Sequence, residues 1–385
     1  MRALFLTHNF PRFAGDAIGS FVLRLAVGLK QHGIDVHVVA PMARDLAREE
    51  SFEGIPVTRF HYATPAFETI AYTGTMGRQV RESFGGKVAL FGLLRHGYKC
   101  ARHVAAGMSA DVVHAHWWFP GGLVARWLKA RQGIPYVVTS HGSDVRLARG
   151  VPGAAMAFRS VARNAAAYST VSSWLAREAQ ALDPELRPVV APMPVVTSLF
   201  APGRSRGPSR ILFVGKLTDQ KGLHHLLRAL PLMTQRATVD VVGAGRVDDA
   251  RFRALATELG VADRITWHPL LTQAELATLY QAATVHAVPA VDEGLGLTAV
   301  ESLLCETPVV AFDSGGLPDI VLPDRTGLLV PVGDHAALAA ALDRIVGDAG
   351  LRDRLGREGR SFAMAHFGEA AAARHYAEML RAAAR

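Results

Sequence analysis

Cysteine is almost missing from this chain. The 385 residues include two, Cys100 and Cys305, and neither sits in a spacing motif, which argues against disulfides and against a thiolate metal site. Such sparse cysteine suits the reducing cytoplasm, the expected location. Long apolar runs are missing as well. No stretch reaches the length of a membrane span. The opening run of MRALFLTHNFP breaks at His8 and Asn9, too short for the apolar region of a signal peptide. No RNP, zinc-finger or helix-turn-helix signature accompanies the formal net charge of +8. Nucleic acid therefore ranks behind phosphorylated ligands and anionic lipid as the partner of that charge.

What is present is a globular composition, half apolar and one-fifth charged, with 36 glycines. The length exceeds what one ordinary core serves, so two domains are expected. Residues 1–192 alternate short apolar strands with helical stretches. The strands fall at 3–7, 34–40, 111–116, 135–140 and 167–171, and a helix at 20–32 ends at Gly33. Residues 193–209, rich in proline and glycine, read as a linker. A second alternating series fills 210–365, with strands at 210–215, 238–243, 264–268, 284–289, 308–312 and 328–330. Residues 366–385 read as a helix that packs back on the N-terminal domain. Continuous apolar strands of this kind suit parallel sheets covered on both faces. The expected fold class is α/β: two doubly wound Rossmann-like domains facing across a cleft, with ligands at the carboxyl ends of the strands.

Two stretches of the second half carry chemistry. GKLTDQKG, Gly215 to Gly222, lies where a strand ends and a helix begins. Gly215 permits a tight turn, and Lys216 and Lys221 place two ammonium groups beside a helix N-terminus, which itself favours anions. They converge on a diphosphate, or they are merely solvated. DEGLGLTAVE, Asp292 to Glu301, follows another strand end. Gly294 and Gly296 let a ligand approach the backbone. Glu301 has an alternative role, since Thr298-x-x-Glu301 has the form of a capping box. Glu293 has no such alternative. Two carboxylates framing this loop suit sugar hydroxyls at either end of a diphosphate. In the first half, SHGSD (140–144) follows a strand. His141 is a site candidate there, unless the segment is only a turn in which Ser143 or Asp144 caps a helix. His114 and His116 alternate along a strand end with no third ligand at metal-binding spacing.

GKLTDQKG followed by DEGLGLTAVESLLCETPVVAFDSGGLPDIV (292–321) resembles glycosyltransferase family four, whose members are retaining, nucleotide-sugar-dependent enzymes with a GT-B fold. The resemblance covers essentially the whole chain, and its specific part is the C-terminal half. It implies an N-terminal acceptor-binding domain and a C-terminal nucleotide-sugar-binding domain. Lys216 and Lys221 would hold the donor diphosphate, Lys216 standing where the family most often has arginine. Glu293 would bind the transferred sugar, the backbone of Gly294, Leu295, Gly296 and Leu297 would meet that sugar and the phosphates, and Glu301 would hold the ribose. The family usually has phenylalanine where this chain has Leu295. HPLL, ending at Leu271, would lie at the nucleobase, and VGAGR, with Gly243, would line the same cleft. His141 matches the family's active-site histidine. His141, Glu293 and Lys221 are thus the catalytic candidates.

The first loop departs from the family. A glycine pair usually precedes the first helix. Here that place falls on Asp16 and Ala17, with Gly15 and Gly19 flanking. The loop, with Arg12 and Asp16, is a candidate acceptor contact, and His116 is expected to line the cleft. Residues 77–103 carry six Lys/Arg against one acid, interleaved with Phe84, Val88, Phe91 and Leu94. They form either a surface for an anionic membrane or a helix packed on the sheet with a solvated basic face. The expectation is a cytoplasmic glycosyltransferase, possible as a peripheral partner of the inner membrane face, with no metal or other cofactor. It would move a hexosyl group from a nucleoside diphosphate sugar to a hydroxyl acceptor in envelope polysaccharide or lipid-linked sugar synthesis. Small-molecule natural products are the alternative acceptors. A nucleotide-sugar epimerase and a non-catalytic nucleotide-sugar-binding protein are the rival classes.

Overall fold

The computed structural model describes residues 1–16, 18–74, 76–203, 209–244 and 249–385. They form two compact units: Met1–Pro194 together with Glu369–Arg385, and Val195–Gly368.

The sheet of the first unit has eight strands: β1 (Arg2–Leu6), β2 (Asp35–Pro41), β3 (Glu49–Phe52), β4 (Ile55–Phe60), β5 (Val112–His116), β6 (Tyr136–Ser140), β7 (Ala167–Thr170) and β8 (Val189–Val190). Their order is β3-β4-β2-β1-β5-β6-β7-β8. Every residue of β5 and β6 is buried, as strands covered by helices on both faces must be. The strand order reverses at β1, which pairs with β2 on one side and β5 on the other. The loops that leave β1, β5 and β6 therefore emerge side by side.

Sequence periodicity misses the β3–β4 pair, the one antiparallel pairing of this sheet. Its strands are joined by Glu53 and Gly54 alone, both left-handed at φ 53° and 77°. That is the backbone of a tight two-residue hairpin, in which an Asn, Asp or Gly normally occupies the first position.

The C-terminal stretch is two helices, Ala349–Phe367 and Glu369–Ala383, broken at Gly368. The second is counted in the first unit. There its Ala373 methyl meets Gly28 so closely that a Cβ on Gly28 would stand 2.8 Å away. Tyr376 is buried and donates to the Ala191 carbonyl at 2.7 Å. Residues 77–103 likewise span two helices, Met76–Glu82 and Phe84–Met108, separated by the cap Ser83. The longer one packs inward through Ala89, Leu93, Ala101, Val104 and Ala105. Phe84, Val88 and Phe91 nevertheless stay 82%, 52% and 68% exposed, beside exposed Lys87, Arg95, Lys99 and Arg102. Among the described residues no helix is long and apolar enough to cross a membrane.

The second unit has a six-stranded, wholly parallel sheet: β9 (Arg210–Val214), β10 (Thr238–Ala244), β11 (Ile265–Pro269), β12 (Val285–Val288), β13 (Val309–Phe312) and β14 (Gly327–Val330). The order β11-β10-β9-β12-β13-β14 reverses between β9 and β12. The loops carrying 215–222 and 289–296 leave the carboxyl ends of those two neighbouring strands.

One buried charge fixes the first loop of the first unit to its sheet. Arg59 on β4 is fully buried, paired with Glu50, and donates to the Tyr72 hydroxyl at 2.7 Å and the Pro11 carbonyl at 2.6 Å. Arg59→Leu would leave these acceptors without their donor. It is expected to destabilise the first unit by about 3–5 kcal/mol in denaturant unfolding, with Arg59→Lys recovering part of the loss.

Candidate active site

In the second unit the two glycine-containing loops are held together by one ion pair, Lys221 Nζ to Glu293 Oε2 at 2.5 Å. The backbone makes the approach possible. Gly222 has φ 75°, and a Cβ there would collide with the Pro289 carbonyl at 1.8 Å. Across the same gap Val291 N–H donates to the Gln220 carbonyl at 2.8 Å, and the Gln220 side chain donates to the Asp292 carbonyl. Gly215 lies alongside the Lys221 stem. Lys216, on the same loop, is exposed.

Glu293 is seated from behind by the GGLPDIV segment. The Gly316 N–H donates to the Glu293 carbonyl at 2.8 Å, and a Cβ on Gly315, itself at φ 62°, would stand 2.3 Å from that oxygen. Gly294 and Gly296 are buried, and so is Leu295, at 6% exposure. The helix starts at Leu297 with Gly296 as its N-cap and without a side-chain cap. The capping-box reading of Thr298 and Glu301 therefore fails: Thr298 already lies within the first turn. Glu301 instead accepts a hydrogen bond from the Tyr280 hydroxyl at 3.0 Å. Burial pushes its carboxyl up to about 7, while the Tyr280 bond acts in the opposite direction. Gly243, at the end of β10, abuts the Gly215 carbonyl. Leu271 is half-buried just past β11, before the helix Gln273–Ala282. In sheet order Gly243 belongs to the strand next to β9, and Leu271 follows the strand beyond that.

In the first unit His141 follows β6. Asp144 fixes its backbone: one carboxylate oxygen accepts from the N–H groups of His141 and Gly142 at 3.1 and 3.0 Å, the other from Trp118 N–H at 3.1 Å. Asp144 thus organises the turn that carries His141 without capping the helix Ser143–Gly150, whose N-cap is Gly142 with no side-chain cap. Burial raises the Asp144 carboxyl despite these donors. The His141 ring packs against Trp117 at 4.4 Å and Phe21 at 5.2 Å. Trp117 adopts φ 67°, a conformation seldom used by a bulky residue and most often retained at functional sites. His8 also packs against Trp117, with centroids 4.4 Å apart and planes tilted by 58°, and burial lowers its imidazole to about 4. Phe21, Trp117, His8 and Tyr280 escaped sequence reasoning. Only the strand-end positions of His8 and Trp117 mark them, and that signal lacks a spacing motif.

Three sequence expectations change. His116 does not line an open surface: it is fully buried, and its Nδ1 lies 3.2 Å from His141 Nε2. Asp16 does not reach outward to an acceptor. Its carboxylate is 7% exposed and is taken up by the Arg12 guanidinium at 2.7 and 3.2 Å and by the N–H groups of Arg12 and Ile18. Burial alone would raise that carboxyl, but these donors hold it below its ordinary value. Arg12 is correspondingly engaged, and Gly15 turns the loop at φ 86° with open space around it. Ala17 lies outside the described residues. His114 donates to or accepts from Thr139 within the core. Among the described residues no group of three His, Cys, Asp or Glu side chains could hold a metal ion.

Residues 197–362 match the family model described as Glycosyl transferases group 1, and residues 16–194 the one described as Glycosyl transferase 4-like domain. The D-inositol 3-phosphate glycosyltransferase of Thermomonospora curvata is 31% identical over 390 residues, covering 89% of this chain and 85% of that protein. The chain belongs to glycosyltransferase family four. Among solved structures, sucrose-phosphate synthase from Thermosynechococcus elongatus matches this glycosyltransferase with a TM-score of 0.83 at 24% identity, over 99% of this chain and 98% of that one. Anabaena Alr3699/HepE, solved in complex with UDP-glucose, matches with a TM-score of 0.72 at 17% identity, over 99% of each chain. At such identities the likeness carries the fold alone: two α/β units with parallel sheets, of the GT-B class.

Among the described residues, the Tyr280 bond is the one hydrogen bond that favours the ionised form of Glu301. In carboxyl 13C NMR of the free glycosyltransferase, Glu301 is expected to titrate with a midpoint near 7. Tyr280→Phe should move that midpoint upward, and a midpoint in the ordinary carboxylate range would contradict the burial argument.

Proposed function

We propose that this glycosyltransferase moves a hexosyl unit from a nucleoside diphosphate sugar to a hydroxyl acceptor with retention of configuration. The observation that carries this reading is the Lys221–Glu293 pair, set where the strand order of the second sheet reverses. In the free protein each partner neutralises the other. A donor would exchange both contacts at once, the diphosphate taking the ammonium and the sugar hydroxyls taking the carboxylate. Lys216 and the loop N–H groups would add to the charge that Lys221 supplies, and Glu301 would accept from the ribose. As the bond from the anomeric carbon to the leaving phosphate oxygen breaks, these cations stabilise the growing negative charge. The acceptor oxygen then bonds to the anomeric carbon, and its proton passes to the departing diphosphate. His141 would contact the donor sugar. Because lysines carry the neutralising charge, the reaction is proposed to need no metal.

For the acceptor, envelope polysaccharide or a lipid-linked sugar is the favoured class. It fits the exposed apolar and cationic face of the helix Phe84–Met108, which we read as a peripheral contact with an anionic bilayer on the cytoplasmic side. Phe84, Val88 and Phe91 would enter the headgroup boundary while the neighbouring lysines and arginines meet the lipid phosphates. A second reading, a small phosphorylated polyol, is favoured by the name of the Thermomonospora relative.

A thermal-shift screen of nucleotides and nucleotide sugars should identify a donor that raises the melting temperature, since a ligand of the folded state stabilises it. With that radiolabelled donor, Lys221→Ala should cut turnover about a hundredfold or more, and turnover should persist in EDTA. Undiminished turnover by Lys221→Ala would remove the diphosphate role. Sedimentation with vesicles should show binding to phosphatidylglycerol-containing but not to purely zwitterionic membranes, and Phe84→Ser/Phe91→Ser should abolish it. Equal partition into both vesicle types would defeat the membrane reading.

A further inference from the structure

The first unit gathers an unusual set of neutral imidazoles. His116, at the end of β5, is fully buried, with its ring against Phe5 at 5.1 Å and His114 at 4.3 Å. Its ring lies edge to edge with that of His141, centroids 5.4 Å apart and planes 28° from parallel. Burial, first of all, keeps both rings far below the ordinary histidine range, so each carries one proton. Between His116 Nδ1 and His141 Nε2, 3.2 Å apart, lies room for one of those protons.

Two arrangements are conceivable, and the far side of His116 separates them. Its Nε2 is buried and, among the described residues, has no hydrogen-bond partner. If His141 donated, the proton of His116 would have to sit on that nitrogen, as a buried N–H without an acceptor. If His116 donates, Nε2 carries only a lone pair. Orphaned buried N–H groups are the rarer and costlier of the two. We propose that His116 is a positioning residue: it donates Nδ1–H to His141 Nε2 and thereby fixes His141 as the Nδ1–H tautomer. Asp144 holds the backbone of His141, and Trp117 and Phe21 hold its ring, so the remaining N–H has one orientation. What His141 offers a ligand is then a neutral donor matched to an oxygen that accepts, such as a sugar hydroxyl. This deepens the proposed function and rests on it for the contact between His141 and the substrate, but not for the tautomer itself.

The tautomer can be read without substrate. Long-range 1H–15N spectra of the uniformly 15N-labelled full chain, with His141 assigned by its loss in His141→Gln, should show Nδ1 protonated and Nε2 bare. His116→Asn, whose amide N–H can stand where Nδ1–H stood, should keep that pattern. His116→Leu should lose it. In transfer assays His116→Leu should lower kcat/KM about tenfold, the worth of one hydrogen bond, and His116→Asn should restore most of it. An Nε2-protonated His141 in the parent protein overturns the proposal, as does a His116→Leu protein with unchanged spectrum and rate. The parent spectrum decides even if His116→Leu does not fold. Full activity in His141→Ala would instead overturn the substrate contact on which the kinetic arm rests, leaving the tautomer to the spectrum.

Discussion

A single ion pair organises the second unit. Lys221 and Glu293, 72 residues apart in sequence, belong to loops that leave two strands adjacent in space. Their meeting depends on the reversal of strand order between β9 and β12, because only there do two such loops leave neighbouring strands without a crossover helix between them. It depends also on backbone that no side chain could share: Gly222 presses on the Pro289 carbonyl and Gly315 on the backbone of Glu293. The pair is partly open to solvent, with 29% and 14% of the two side chains exposed, so it is a weak source of stability. Its arrangement instead holds a cation and an anion together at the carboxyl ends of two neighbouring strands.

The first unit uses the same topological device with different chemistry. Loops after β1, β5 and β6 converge, yet what they bring together is aromatic and neutral: His8, Trp117, Phe21, His116 and His141. Burial suppresses protonation of these imidazoles. One unit thus pairs formal charges at its strand ends, and the other gathers neutral imidazoles there beside the buried Asp144.

Much of this was legible from the chain alone. The strands expected in both sheets lie within a residue or two of those observed, although β4 and β8, parallel to β2 and β7, are not among those expected, and the loops with Lys221 and Glu293 stand out because glycines and charges interrupt buried-looking flanks. What escaped notice has physical causes. The β3–β4 hairpin turns on Glu53, a residue that does not announce a left-handed turn. Thr298 and Glu301 have capping-box spacing, but Gly296 starts the helix two residues earlier and frees Glu301 for Tyr280, a partner 21 residues away. Asp16 looked available because nothing in its neighbourhood reveals that Arg12 folds back on it. His116 looked like a surface residue because strand alternation tells which face a side chain takes, not how thickly that face is covered.

The units are not two contiguous halves of the chain. The helix Glu369–Ala383 closes the first unit after the whole of the second has been threaded. During synthesis the ribosome therefore makes the whole of the first sheet early and this covering helix only after the second unit. Until Tyr376 and Ala373 arrive, the surface around Gly28 and Ala191 has no cover, so the unit begun first is completed only once the second has been made.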